Sequence, residues 1–346
     1  MTSQESERAL LRHHGDVDAA PGLVDFAVNV RMPRPPAWLR DRLVAALDDL
    51  GRYPSEEADR TARRAVAERH GRTPDEVLVL AGAAEGFALL PALTPKLAAV
   101  VHPSFTEPEV ALLDAGVPVH RVRLTPEDGY ALRPELVPDA ADLVVIGNPT
   151  NPTSVLHAAD TLRRLARPGR VLVVDEAFAD TVPGEPESLA GQRMPGLLVL
   201  RSLTKTWGLA GLRAGYVLGD PELLARLARH RPQWPVSSLV LEAVTACCEP
   251  EAVEAARRIA EESVPHTEHA ARALGDLVVV PPRAPFLLLR VPDGERVREA
   301  LRDKGIAVRR GDTFPGLTKD HLRVATRPPA EFDLLVDALR VVLEER

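Results

Sequence analysis

Between Val77 and Gly219 short apolar runs alternate with helical or loop segments, and no other feature of the chain constrains its fold as tightly. The runs are Val77–Ala81, Ala98–His102, Val117–Leu124, Leu143–Gly147, Val171–Asp175, Leu197–Ser202 and Gly215–Leu218. Several are unbroken stretches of valine and leucine, the pattern of strands covered by helices on both faces. The expectation is an α/β domain with a mostly parallel, seven-stranded central sheet. After Pro235 the pattern changes. A helical region with breaks at Pro250 and Pro265 runs to about Leu274, then strands at Leu277–Val280, Phe286–Val291, Ile306–Arg309 and Leu322–Ala325 interleave with a helix at Glu295–Lys304. A last helix starts at Pro329. These elements predict a smaller α+β unit, with the N-terminal segment and its amphipathic helix Ala37–Leu50 packed against it. The expected domains are therefore residues 51–235, and residues 1–50 together with 236–346.

Charge and cysteine content narrow the function. The net charge of −7 comes from 43 basic and 50 acidic residues spread along all 346 positions, with no block of one sign. That excludes a dedicated nucleic-acid or membrane surface and points to a small-molecule partner. The two cysteines, Cys247 and Cys248, are neighbours in a helical stretch and point in different directions, so no disulfide is expected. The N-terminus is polar, and no apolar run approaches the roughly 20 residues that cross a bilayer. A cytoplasmic protein is the expectation, without a metal site.

Four segments carry chemistry. The first is Arg201-Ser-Leu-Thr-Lys-Thr-Trp-Gly-Leu-Ala-Gly-Leu-Arg-Ala-Gly215. A lysine directly after a buried strand needs a purpose, and a Schiff base to a cofactor aldehyde supplies one. Ser202 and Thr204 add hydroxyls beside Lys205, and Arg213 adds a guanidinium fork suited to phosphate. The second is Val173-Val-Asp-Glu-Ala-Phe178, where Asp175 closes a strand at the end where open α/β sheets bind ligands. A buried carboxylate there suits a protonated pyridine nitrogen; read alone, it serves equally well as a helix N-cap. The third, Gly147-Asn-Pro-Thr-Asn-Pro-Thr153, fixes a tight loop in which Asn151 is held rigidly. The fourth, Leu80-Ala-Gly-Ala-Ala-Glu-Gly86, puts small residues at a strand-to-helix turn whose N–H groups can face a phosphate. The glycines at 208, 211 and 215 lack the spacing of a dinucleotide fingerprint.

In this order the four segments resemble the class I/II aminotransferases, which depend on pyridoxal 5′-phosphate (PLP). The resemblance implies the aspartate-aminotransferase fold and a homodimer. It implies Lys205 as the cofactor-carrying lysine and proton shuttle, Asp175 on the pyridine nitrogen and Asn151 on the phenolic oxygen. Ser202, Thr204, Arg213 and the backbone of Ala83 and Ala84 would hold the phosphate. Phe105 matches the aromatic that stacks on the ring, Phe178 stands where aminotransferases commonly have tyrosine, and Tyr53 matches a tyrosine reaching into the partner subunit's site. Arg323 matches the arginine that binds a substrate carboxylate.

Within the family the chain is most similar to the L-threonine O-3-phosphate decarboxylases of cobalamin synthesis. Arg12-His-His-Gly-Asp-Val17, Asp25-Phe-Ala-Val-Asn29 and Ala307-Val-Arg-Arg-Gly-Asp-Thr-Phe-Pro-Gly-Leu317 carry that similarity. It implies His13, Asn29, Arg309 and Arg323 around the substrate, two of them cations for a phosphate and a carboxylate. The alternatives are an aminotransferase of the histidinol-phosphate type and a catalytically degenerate regulator with the same fold. Val-Arg-Met-Pro after Asn29 and Ser154 in place of a glycine depart from the family pattern.

Overall fold

The structure is a computed structural model in which residues 3–345 are described. Seven strands form the main sheet: β1 (Val77–Leu80), β2 (Ala98–His102), β3 (Val119–Arg123), β4 (Leu143–Gly147), β5 (Val171–Asp175), β6 (Leu197–Ser202) and β7 (Gly215–Gly219). Their order is β1-β7-β6-β5-β4-β2-β3. Only β7 runs antiparallel to its neighbours. Residues on one face of the sheet, such as Val144, Val174 and Val199, share a core with the helices Glu56–His70 and Ser238–Cys248. Residues on the other face, Val145, Val173 and Leu200 among them, pack with Phe87 and Leu112. Burial on both faces is the reason these strands read as continuous apolar runs rather than alternating ones.

The register sets the ends of the central strands side by side. Gly147 pairs with Asp175, Asp175 with Leu200, and Ser202 with Gly215. The loops carrying Asn151, Asp175 and Lys205 thus leave the same edge of the sheet, where open α/β folds form their ligand crevice.

A second core surrounds a three-stranded antiparallel sheet of β8 (Phe286–Arg290), β9 (Arg309–Arg310) and β10 (His321–Ala325), in the order β9-β10-β8. Phe26, Leu287, Val324, Phe332 and Leu335 are buried in it. The expected strand Ile306–Arg309 is divided. Ile306–Ala307 pairs with Val24–Asp25, while Arg309 turns into β9 opposite Arg323. The two arginines therefore stand on adjacent strands.

The expected strand Leu277–Val280 does not form, since Leu277 ends a 3-10 turn and Val278 makes only a single bridge to Leu289; three further expectations change. The helix Ala37–Leu50 stops at Ala45 and tightens to a 3-10 turn over Ala46–Asp49. Its Leu39 enters the core of the large sheet together with Val240, Leu241 and Val244 from Ser238–Cys248, so both helices pack with the large sheet and not with the smaller one. Third, Pro265 does not break its helix, which runs from Pro250 to Leu274. Pro265 and Glu261, whose carbonyl loses its intrahelical donor, both lie on the exposed side, where water can replace the missing bond. Among the described residues no helix is long and apolar enough to cross a membrane.

Candidate active site

One cavity of about 430 Å³ opens at the C-terminal edge of β4, β5 and β6. It brings together Lys205, Ala83, Ala84, Phe105, Asn151, Asp175, Phe178, Ser202, Thr204, Arg213, Asn29, Arg309 and Arg323, all of them singled out from the sequence. Tyr53 and His13 do not line it.

Lys205 lies in the short helix Thr204–Trp207 that follows β6. Burial lowers its pKa from 10.5 to about 8, with the charges of Arg323 and Arg213 acting in the same direction and Asp175 against it. Thr206 donates to Asp180, and the Arg31 N–H donates to the Lys205 carbonyl at 3.1 Å, which fixes the turn from both sides. The Lys205 ammonium stands 5.7 Å from the centre of the Phe178 ring, and Phe178 packs edge-on against Phe286.

Asp175 ends β5 and accepts a 3.1 Å bond from the Ala177 N–H. Burial raises its pKa to about 6, the Ala177 bond and Lys205 drawing it back down. Glu176 points away from the cavity to Arg201 at 3.0 Å, with Ser188 and the Leu189 N–H on the same carboxylate. This buried pair ties β5 to β6 directly behind Asp175 and Ser202.

At the opposite wall Gly82 precedes the helix Ala83–Leu89, whose first N–H groups have no partners within the helix. Gly82 has φ +79°, and a Cβ there would meet Arg213 Nη2 at 3.0 Å. Gly215 allows the same close approach, because its Cβ would come within 3.0 Å of the Ala83 nitrogen. The Thr204 hydroxyl is buried and finds no hydrogen-bond partner among the described residues.

Asn151 joins the two halves of the cavity. Its Oδ1 accepts from Arg323 Nη1 at 3.0 Å, which leaves the amide N–H groups as the end available to a ligand. Arg323 also donates to the Ala27 carbonyl, its Nε is buried without a partner among the described residues, and burial lowers its pKa to about 9. Asn29 is 8% exposed, and both of its amide atoms lack partners among the described residues.

One substrate expectation is corrected. His13 turns away from the cavity and toward Asp18, with Nε2 3.2 Å from the carboxylate, because the chain bends into the helix Gly15–Asp18 at His14. His14 takes the place on the cavity wall. Arg309 does reach the cavity, but its charge is offset. Asp18 accepts from Nη1 at 3.2 Å, Thr313 accepts from Nη2 at 2.7 Å, and the guanidinium stacks 5.0 Å from the Phe314 ring centre. Tyr53 is 73% exposed and stacks on Trp234 at 4.1 Å, far from burial in its own chain.

Sequence reasoning missed His14, Asp16, Glu107 and Phe314, which also line the cavity. His14 Nε2 lies 2.5 Å from Glu107 Oε1, and its ring sits 5.2 Å from that of Phe105. The two residues are 93 positions apart, so only the histidine-rich turn near residue 14 was visible as a signal.

The family model for "Aminotransferase class I and II" matches residues 23–339. The chain belongs to this family. It is a PLP-dependent enzyme with the aspartate-aminotransferase fold. A histidinol-phosphate aminotransferase of Mycobacterium tuberculosis is 56% identical, covering 96% of this chain and 91% of the relative. A threonine-phosphate decarboxylase of Salmonella typhimurium is 32% identical over 93% and 91%. The solved histidinol-phosphate aminotransferase of Clostridium acetobutylicum superposes with a TM-score of 0.85 at 23% identity, covering 94% of this chain and all of the other. The motif-based preference for a decarboxylase is thus not the one the relatives favour.

The cavity of this family member fits PLP. The orphaned Thr204 hydroxyl, the Gly82 cradle under Arg213 and the helix start at Ala83 provide for a phosphate. Asp175, raised by burial, is a carboxylate that a protonated ring nitrogen would stabilise.

Proposed function

We propose that the protein is an aminotransferase acting on a phosphorylated amine of the histidinol-phosphate type, with a 2-oxo acid as amino acceptor. The observation that carries this reading is the 56% identity, over 96% of the chain, to a relative bearing that name. PLP, when bound, acts as an electron sink that weakens the bonds at the substrate Cα. The chain's own residues supply the rest. Asp175 keeps the ring nitrogen protonated, and the Asn151 amide donates to the phenolic oxygen. Ser202, Thr204, Arg213 and the N–H groups of Ala83 and Ala84 hold the phosphate, with Phe105 and Phe178 enclosing the ring. Lys205 Nζ would hold the cofactor's aldehyde and would serve as the base that moves the substrate Cα proton; its lowered pKa keeps a useful fraction neutral near pH 7. Arg323, with its unpaired Nε, binds a carboxylate or phosphate oxygen. Asn29, whose amide atoms lack partners among the described residues, offers a donor and an acceptor within the same cavity.

A homodimer belongs to the same proposal. Tyr53 is exposed and absent from its own cavity, as required of a residue that completes the site of a second copy.

Purified holoenzyme incubated with histidinol phosphate should convert its cofactor to the amine form, and 2-oxoglutarate should then restore it with release of glutamate. Release of CO₂ from threonine phosphate, with no amine transfer from histidinol phosphate, overturns the reading in favour of a decarboxylase.

A further inference from the structure

Ser154 stands where the family pattern has glycine, and it holds φ +62°, a left-handed backbone that is costly for a residue with a side chain. It is fully buried and does not line the cavity. Its hydroxyl accounts for the side chain. Oγ donates to the Ala284 carbonyl at 3.0 Å and accepts from the N–H groups of Ala284 at 2.8 Å and Arg283 at 3.1 Å. The single hydroxyl hydrogen and both lone pairs are thereby used. The Ser154 carbonyl takes a further 3.0 Å bond from the Arg283 N–H.

Arg283 and Ala284 lead into β8 of the smaller sheet, whereas Ser154 belongs to the loop after β4 that carries Asn151. The two elements meet again at Asn151, which accepts from Arg323 on β10 at 3.0 Å. β10 pairs with β8, with Arg323 opposite Leu288 and Ala325 opposite Phe286. The contacts close a ring. It runs from Ser154 to Ala284, along the chain to Phe286, to the Arg323 guanidinium 6.0 Å from the Phe286 ring centre, to Asn151 and back to Ser154. The loop itself is held without the hydroxyl. The Ser154 N–H donates to the Thr150 carbonyl at 2.7 Å, the Thr150 N–H to the Val155 carbonyl at 2.8 Å, and the Asn148 amide exchanges two bonds with the His157 backbone. What the hydroxyl adds is the tie to β8. Ala284 and Phe286 also pack with Phe178 along this seam, but apolar contact has no direction, whereas three bonds at one point fix the register.

We propose that Ser154 is a positioning residue whose side chain pins the entry of β8 to the Asn151 loop and thereby holds Arg323 where it meets the substrate's anionic group. The proposal rests on Arg323 as the arginine that binds substrate, and it holds whether the enzyme transfers an amine or releases CO₂. Asn151 and the Ala27 carbonyl restrain the Arg323 side chain directly, and Ser154 restrains the sheet that carries it. Ser154→Gly removes the three side-chain bonds and suits the backbone, since glycine adopts positive φ freely, so this variant should fold. Ser154→Ala removes the hydroxyl and keeps the Cβ.

The test is spectral titration of PLP-loaded enzyme with histidinol phosphate and with threonine phosphate, in wild type, in both Ser154 variants, and in Arg323→Gln with and without Ser154→Gly. The amine that perturbs the visible band of wild type is the probe. Its dissociation constant should rise about tenfold in each Ser154 variant, the scale of one lost hydrogen bond, while PLP affinity stays within about twofold of wild type. On the Arg323→Gln background Ser154→Gly should cost less than about twofold more, because the residue through which it acts is gone. Unchanged probe affinity in both variants overturns the proposal whatever happens to Tm, since a serine that serves only the fold moves Tm alone. A tenfold loss repeated in full on Arg323→Gln overturns it as well, because Ser154 then acts by another route. So does an equal loss of PLP affinity, which would mean that Ser154 holds the loop and not the sheet. If neither amine perturbs wild type, the substrate reading fails on its own account and Ser154 is judged without substrate. The pH midpoint of PLP capture by apoenzyme should then rise in Ser154→Gly as in Arg323→Gln, because the Arg323 charge helps to lower the Lys205 pKa. An unmoved midpoint overturns the proposal.

Discussion

The lowered pKa of Lys205 gives a quantitative expectation for cofactor capture. A lysine at its ordinary value of 10.5 is about one part in a thousand neutral at pH 7.5, whereas at about 8 it is about one-quarter neutral. Apoenzyme should therefore capture PLP at Lys205 some two hundred times faster than an unperturbed lysine would at that pH. The rate, read as growth of visible absorbance, should climb about tenfold per pH unit below 8 and level off above it. Because the folded-state value is depressed, protonation of Lys205 costs the fold about 3 kcal/mol. That cost is present in full below about pH 8 and disappears as the pH passes 10.5. Burial is the main cause and Arg323 the next, so Arg323→Gln should shift the midpoint upward and slow capture at pH 7.5. A wild-type rate still rising tenfold per unit between pH 8.5 and 10 would refute the reasoning.

Two further substitutions separate binding from stability. Asn29→Ala removes two buried amide atoms that have no partners among the described residues. It should leave Tm unchanged or raise it by up to a few degrees while increasing KM about tenfold, since an unsatisfied polar group costs about 1–3 kcal/mol; a clear fall in Tm with normal KM would show that Asn29 serves the fold instead. Gly82→Ala sets a Cβ 3.0 Å from Arg213 Nη2 at φ +79°. PLP affinity should fall at least tenfold in equilibrium dialysis, and undiminished affinity would separate Arg213 from the phosphate.

That most of the expected cofactor residues would meet in one cavity was legible in the sequence, because Ala83, Phe105, Asn151, Asp175 and Lys205 each stand at or just after the end of a strand that announces itself. Asp175 and Lys205 come directly after continuous valine-leucine runs, and parallel strands in adjacent register bring such ends together by geometry alone. The substrate side was less legible. His14 and Glu107 meet only through tertiary folding, and which of two consecutive histidines faces inward depends on a bend that local sequence does not specify. The partnership of Arg309 with Asp18 spans 291 positions, so the sequence offered the arginine but not the anion that offsets it. The helix Ala37–Ala45 was misplaced for a related reason. Its moderately apolar surface fits either core, and only contact with Ser238–Cys248 decides between them.

The helix Pro250–Leu274 has a consequence for how the molecule comes apart. At 25 residues it is about 37 Å long, and it contributes Ala252 and Ala256 to one core and Ala270 and Leu274 to the other. It is a single beam mortised into two rooms. Neither core can melt without loosening the beam that the other depends on, so chemical denaturation should follow one sigmoid by fluorescence and circular dichroism alike rather than two steps. Any opening of the cavity in turnover has to flex this beam instead of swinging on a slack joint.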